Sequence, residues 1–391
     1  MAKKAKARRT REVRSDRAAD ALPALSTLTA LPSFEDLAPS ERQRVAFDEA
    51  CVRAVEAGAA PEELAHGCVV RLDRGFPAIV TKDATFRAEF SARLTKGDFS
   101  RAAVGDWVCA RRPSGHEMGL IEEILPRESD IARWKGGARG ERQTLAANVG
   151  VVLVIQALGP EPVSCERVAR SAVIARDCAA GIAVILTKAD RASNEVLRQD
   201  ILQMREVLGD DVVIAVTASQ LSDEAEAKMD VVRECGARWG KEGVRSLVPT
   251  GTVAIMLGES GAGKSTLLNG LLGRNELETG AVRERDDAGR HTTVARRMVK
   301  LPGAGVIVDE PGLRSLPMVG HERGLALVFP EIADAACGCR FRDCTHTHEP
   351  GCEVRAQFDS GSFSSVRLET YLALAHEMRQ SATTLDPDVV I

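Results

Sequence analysis

The sequence predicts a chain of several folded parts: a small β-barrel, a parallel α/β unit, and a compact helical end built around cysteine and histidine. Three observations predict it. Short alternating runs fill residues 66 to about 125, near-continuous aliphatic runs alternate with helical patterns from about Asn148 to Asp309, and four of the ten cysteines crowd into residues 337–352. At 391 residues the chain can hold two to four modest cores.

The first sixty residues show no sustained alternation and read as an arm followed by helix, "PSERQRVAFDEACVRAVEAG". Residues 1–17 carry eight Lys/Arg against two acidic residues, on a chain whose formal net charge is only -4. Such an arm is a solvated tail or a ligand for polyphosphate. It lacks the apolar segment of a secretory signal, and no apolar run in the chain is long enough for a membrane span. Ten cysteines without such a signal point to a reducing, cytoplasmic setting.

From His66 the runs "HGCVVRL", "FPAIV", "ATFRAEF", "DWVCARR" and "GLIEEIL" are separated by Gly, Asp and Lys-Gly turns. Five short strands at that spacing fit a barrel of the OB type, and a β-sandwich would give the same texture. Next, "VGVVLVIQAL", "GIAVILT", "DVVIAVT", "GTVAIML" and "GVIVDE" are strands buried on both faces, and long helical patterns separate the first four. That alternation means a parallel sheet flanked by helices, with ligands at the carboxyl ends of the strands.

Gly258, Glu259, Ser260, Gly261, Ala262, Gly263, Lys264, Ser265 and Thr266 form a phosphate loop, G-x-x-x-x-G-K-[ST], between a strand and a helix former. Loop N–H groups cradle phosphate oxygens, Lys264 reaches the β- and γ-phosphates, and the Ser265 hydroxyl ligates Mg²⁺. Asp309 ends a buried strand and opens Asp-x-x-Gly with Gly312, the second Mg²⁺-side element. Glu310 follows it, and a strand ending Asp-Glu is also an ATPase pattern. A guanine reader needs a carboxylate for N1–H and the 2-amino group, and Asp190 in "AVILTKAD" fits, with Thr187, Lys188 and Ala189 beside it. Thr217, Ala218 and Ser219, in "AVTAS", form a second loop at a strand end. Both elements precede the phosphate loop, the reverse of the ordinary GTPase order.

That order resembles the circularly permuted GTPases, and among them the small-ribosomal-subunit biogenesis GTPases of the RsgA type. The resemblance covers roughly residues 65–355 and runs through "VGDWV", "LAANVGVVLVI", "TKAD", "GESGAGKSTLLN", "GRHTT", "DEPGLRSL" and "CRFRDCTHTHEPGC" in family order. Thr187 stands where the family has Asn, and Glu310 where Thr is more usual. The resemblance implies that "GRHTT" is a switch loop, with Thr292 or Thr293 closing on Mg²⁺ and His291 positioning water. Leu313 occupies the place where many GTPases carry a water-orienting Gln, which predicts slow turnover until a partner orders the switch.

Cys339, Cys344, His346 and Cys352, spaced x4, x1 and x5, make a closed tetrahedral Zn²⁺ set of the structural kind, matching the family's cluster residue by residue. Cys337 and His348 are spare donors. Arg340, Arg342 and Arg355 stud the same loop and suit phosphate. With aromatic residues at 4%, recognition of folded RNA by shape and phosphate is expected rather than base stacking.

The full expectation is an arm and helical extension (1–62), an OB-like barrel (63–140), a circularly permuted P-loop GTPase domain (141–332) and a zinc-binding helical end (333–391). The chain would be a cytoplasmic monomer off the membrane that binds GTP/GDP, Mg²⁺ and one Zn²⁺. Lys264 and His291 would be its catalytic residues, and the small ribosomal subunit with its rRNA its partner. The competing readings are an ATPase using Glu310 and a nucleotide-gated RNA-binding switch with negligible turnover.

Overall fold

Alternation in the first part closes into a barrel. In the computed structural model, which describes residues 30–73, 76–94, 101–116, 118–135, 141–218, 223–273, 296–309 and 318–385, five strands form it: β1 (Leu64–Asp73), β2 (Phe76–Thr81), β3 (Thr85–Phe90), β4 (Trp107–Arg111) and β5 (Gly119–Ile124). They pair in the order β1-β2-β3-β5-β4, and β4 returns to β1 with Cys68 opposite Trp107. β3 and β5 run parallel and the other pairs antiparallel. The return of β4 to β1 is the OB closure and excludes an open sandwich. Val69, Ile79, Phe86, Val108 and Ile121 fill the interior.

The run "VGDWV" makes the sharp turn into β4. Gly105 has φ +96°, and a Cβ there would lie 2.0 Å from the Ala147 carbonyl oxygen, so only glycine fits. The fully buried Asp106 carboxylate accepts from Ala103 N at 2.7 Å and from Arg127 Nε and Nη2 at 2.7 and 2.8 Å.

Helix α1 (Glu41–Glu56) starts at a capping box between Ser40 and Gln43 and lies on the barrel through Arg53–Glu123 at 2.8 Å. Beneath it His66 stacks on Phe47 (centroids 4.6 Å apart) and tilts against Trp107 (4.8 Å), with Nε2 buried and unpaired. Burial, helped by the charge of Arg44, pushes its pKa from 6.5 down to about 4. The unfolded chain therefore takes up the proton first. The contribution of His66 to stability is complete above pH 6.5 and is lost as pH falls toward 4, by roughly 1–3 kcal/mol once partial exposure is allowed for. Urea titrations across that range should show the loss, and His66→Phe should flatten it.

An antiparallel ribbon, β6 (Asp130–Lys135) with β7 (Glu141–Ala147), joins the barrel to the next part. Position 140, the expected end of the barrel, falls between these two paired strands. The parallel sheet then comprises β8 (Val151–Ala157), β9 (Gly181–Thr187), β10 (Val213–Val216), β11 (Arg238–Trp239), β12 (Val253–Leu257) and β14 (Val306–Asp309), ordered β11-β10-β9-β8-β12-β14. β13 (Arg296–Lys300) runs antiparallel on β14 and pairs on its other side with β1, Arg71 opposite Arg297. Barrel and α/β unit thus share one sheet of twelve strands.

Five helices of the described α/β residues follow or cross these strands: α2 (Cys165–Asp177), α3 (Asn194–Leu208), α4 (Asp223–Glu234), α5 (Gly240–Arg245) and α6 (Lys264–Leu272). Along β8, Val152 and Val154 pack in the cluster with Val168, Ala172 and Val173 of α2. Leu153 and Ile155 pack in the other cluster with Leu268 and Leu271 of α6. This two-sided burial is what the continuous aliphatic runs encode, each such side chain contributing about 1.5–3 kcal/mol.

The C-terminal part is helical: α7 (Glu322–Val328), α8 (Pro330–Ala336), α9 (Glu353–Asp359) and α10 (Ser365–Leu385). It docks on α2 through His321–Asp177 at 2.8 Å and Arg170–Glu377 at 2.7 Å. No helix of the described residues is long and apolar enough to cross a membrane. The basic arm lies outside those residues.

Candidate functional site

The phosphate loop sits where the expected strand ends. β12 stops at Leu257, the chain turns through Gly258 to Gly263, and α6 begins at Lys264. Gly263 caps that helix at φ +92°, with the Thr187 hydroxyl 3.4 Å from where a Cβ would be. The first turn of α6 leaves its N–H groups without intrahelical partners, as at any helix start, so they can take phosphate oxygens. Lys264 Nζ donates to the carbonyls of Gly258 (2.5 Å) and Glu259 (2.8 Å), curled over the loop. Ser265 is half-buried; Ser260, Gly261 and Thr266 are exposed.

Asp309 ends β14, the strand beside β12, and register places Val308 opposite Ile255. Its carboxylate, mostly buried, lies 3.6 Å from Arg297 Nε across the β13–β14 ladder. A cation side chain thus stands beside the carboxylate that the sequence expects on the Mg²⁺ side.

The two base-side loops meet the phosphate loop directly. Lys188 adopts the left-handed conformation (φ 59°), and its Nζ donates to Gly261 O at 2.5 Å. The Thr187 hydroxyl, buried under the loop, donates to Ala262 O at 2.7 Å. Ala189 N bonds Thr217 O at 3.0 Å and Thr217 N bonds Leu186 O at 2.8 Å, tying the second loop to the first. Asp190 is exposed on the turn that follows and Ala218 is half-buried. The hydroxyl that replaces the usual amide is therefore spent on the loop. Thr187→Val leaves a buried carbonyl unsatisfied, which costs about 1–3 kcal/mol, and a loop that shifts to satisfy that carbonyl would lose at most roughly 5- to 160-fold in nucleotide affinity. Thr187→Ser should preserve affinity, and neither change should alter the preference between GTP and ATP; competition binding reads both.

Ser219, His291, Thr292, Thr293, Glu310 and Gly312 lie outside the described residues, as does Leu313. Sequence reasoning missed two ion pairs at this site, Arg297–Asp309 and Arg167–Glu259. Both join distant segments and leave no local spacing to read.

At the C-terminal end, Cys339, Cys344, His346 and Cys352 bring one ligand atom each to within 4.8 Å of one another. Cys339 Sγ and Cys352 Sγ are 3.9 Å apart, and each lies 3.5 Å from His346 Nδ1. Around a tetrahedral zinc, bonds of about 2.3 Å to sulfur and 2.0–2.1 Å to nitrogen give edges of about 3.8 Å (S–S) and about 3.5 Å (S–N). The donor set therefore fits zinc in kind, and the face formed by Cys339, His346 and Cys352 fits it in size, with Cys344 Sγ within 4.8 Å of the other three. Burial keeps the pKa of His346 below its usual value, favouring the neutral imidazole. Glu349 orders the intervening turn by accepting from Thr345 N at 2.9 Å. The spare donors stand apart: Cys337 Sγ bonds Ala333 O, and His348 Nδ1 bonds Thr347 Oγ1.

An OB barrel continuous with a P-loop sheet, in which the Thr-Lys-x-Asp strand comes before the phosphate loop and still docks onto it, defines a circularly permuted P-loop GTPase. Residues 124–319 match the family described as RsgA GTPase. The "Small ribosomal subunit biogenesis GTPase RsgA" of Streptomyces coelicolor is 38% identical over 329 residues, 84% of each chain. The protein of that name from Leptospira interrogans is 32% identical, over 84% of this chain and 86% of its own. The chain belongs to the RsgA GTPase family. Its fold is similar to that of YjeQ from Thermotoga maritima, with TM-score 0.58 at 21% identity over 81% of this chain and 99% of that one. It is also similar to YloQ, described as a circularly permuted GTPase, with TM-score 0.53 at 17% identity over 81% and 96%.

Proposed function

We propose that this protein hydrolyses GTP to GDP and phosphate while docked on the small ribosomal subunit during late assembly, slowly alone and faster when docked. The observation that carries the reading is the pair of bonds from Thr187 and Lys188 to the phosphate-loop carbonyls. They tie the Thr187–Asp190 turn to the phosphate loop, which supports reading base reader and phosphate grip as one site despite the inverted order. The loop N–H groups and Lys264 hold phosphate, and Asp190 accepts the guanine donors. Ser265, Asp309 and Thr292 or Thr293 hold Mg²⁺, which when bound neutralises phosphate charge. His291 orients water in place of the Gln that Leu313 replaces. Cys339, Cys344, His346 and Cys352 hold a structural Zn²⁺.

The partner follows from the relatives' names, which are those of small-subunit biogenesis factors. The barrel, the basic arm and the arginines of the knuckle (Arg340, Arg342, Arg355) are the surfaces we assign to rRNA. We place the work in the cytoplasm and read the chain as a monomer. The division at residues 62, 140 and 332 is our proposed domain plan, with the β6–β7 ribbon as the joint. An ATPase using Glu310 is the rival within the same fold.

Co-sedimentation with purified small subunits tests the reading. A non-hydrolysable GTP analogue should retain the protein at least about tenfold better than GDP, a differential of some 1.4 kcal/mol. Equal retention with GDP, or equal retention with an ATP analogue, would contradict it.

A further inference from the structure

A phosphate loop is built to accept negative charge, yet the second residue of this one is an acid. Glu259 is exposed at the turn out of β12, next to Gly258, whose carbonyl holds Lys264. Its Oε2 lies 2.9 Å from Arg167 Nη1, on the first turn of α2. The pair lines a cavity of about 590 Å³ together with Gln156, Ser164, Arg170 and Glu377. One turn further along α2, Arg170 is tied to Glu377 of α10 at 2.7 Å, which fixes this face of the helix against the C-terminal part. A carboxylate on the loop itself lies well within a Debye length of any phosphate held there, so unneutralised it would repel the ligand.

We infer that Arg167 is a positioning residue of the nucleotide site: it neutralises Glu259 and so lets the loop accept polyphosphate. It acts through Glu259 and not by touching the ligand. The inference rests on the nucleotide reading given above and adds a residue, on another helix, that sets the affinity of the grip. A surface ion pair contributes little to stability by itself. Its effect here is on a highly charged ligand bound to the same loop.

The test is a double-mutant cycle on GDP affinity, measured by calorimetry at about 50 and 500 mM salt, with thermal melting of each nucleotide-free variant as the folding control. At low salt Arg167→Ala should weaken GDP binding roughly 3- to 10-fold, and Glu259→Gln should strengthen it by a similar factor. Because the two charges act on the ligand in opposite senses, the double variant Arg167→Ala/Glu259→Gln should return to within about twofold of wild type. Arg167→Lys, which keeps the charge, should stay near wild type, and all differences should shrink at high salt. A double variant that binds as weakly as Arg167→Ala alone would overturn the inference, because the arginine would then act on folding or by touching the ligand and not by neutralising Glu259. A salt-independent effect, or none, would overturn it as well. A wild-type protein that binds neither GDP nor ADP would instead bring down the nucleotide reading, and this inference with it.

Discussion

Asp190→Asn is expected to lower GTP affinity by roughly two to three orders of magnitude and to raise affinity for xanthosine triphosphate. A carboxylate accepts the N1–H and 2-amino donors of guanine together, and hydrogen bonds to a charged group contribute about 1.5–3 kcal/mol each. An amide has only one acceptor and presents a donor in place of the other. Xanthine carries a carbonyl where guanine has the amino group, so it suits the amide. Asp190 stands exposed on the turn that follows Lys188, whose Nζ is fastened to Gly261 O, so the turn that carries the carboxylate is tied to the phosphate loop. Competition binding with GTP, ATP and xanthosine triphosphate reads the switch. An unchanged GTP preference in the variant would shift the base reading away from Asp190, and a preference for ATP that the substitution leaves unchanged would favour the ATPase alternative.

Cys352→Ser is expected to abolish stoichiometric zinc and to lower the melting temperature by about 10 °C, a loss of several kcal/mol for a chain of this size. Cys352 is buried and opens α9, while Cys339 follows α8, so the cluster closes the loop between the two helices. Removing one thiolate leaves three donors converging on one another with no ion to satisfy them. Nucleotide affinity should be little affected, because the cluster and the phosphate loop draw on different elements. Metal analysis and circular-dichroism melting check both parts. Full zinc content in the variant would show that Cys352 is not a ligand, and an unmoved melting temperature would deny the cluster its structural role.

Most of the scaffold was legible because its signals are local. The barrel strands alternate, and the central strands of the α/β unit are aliphatic on both faces. The phosphate loop and the Thr-Lys-Ala-Asp turn are short runs with fixed spacing. The β6–β7 ribbon was not legible: "DIARWK" and "ERQTLAA" mix charged and apolar residues without a clean period. β13, "RRMVK", carries three basic residues in five and hides the strand that makes barrel and GTPase sheet continuous. The site divides the same way. The sequence marks Thr187 only as standing where the family has Asn, and the fold reveals its hydroxyl under the loop. The pairings of Arg297 with Asp309 and of Arg167 with Glu259 are tertiary and had no sequence signature. Of six donors in the C-terminal loop, four converge, and which four is a matter of backbone geometry: His346 adopts φ 60° and turns inward, while His348 bonds its neighbour.

The most direct measurement is turnover of GTP and of ATP by the purified protein, with and without small ribosomal subunits. Slow hydrolysis of GTP alone, strongly accelerated by the subunits and not matched by ATP, is the predicted result. Hydrolysis that prefers ATP, or that ignores the subunits, would contradict the account and turn attention to Glu310.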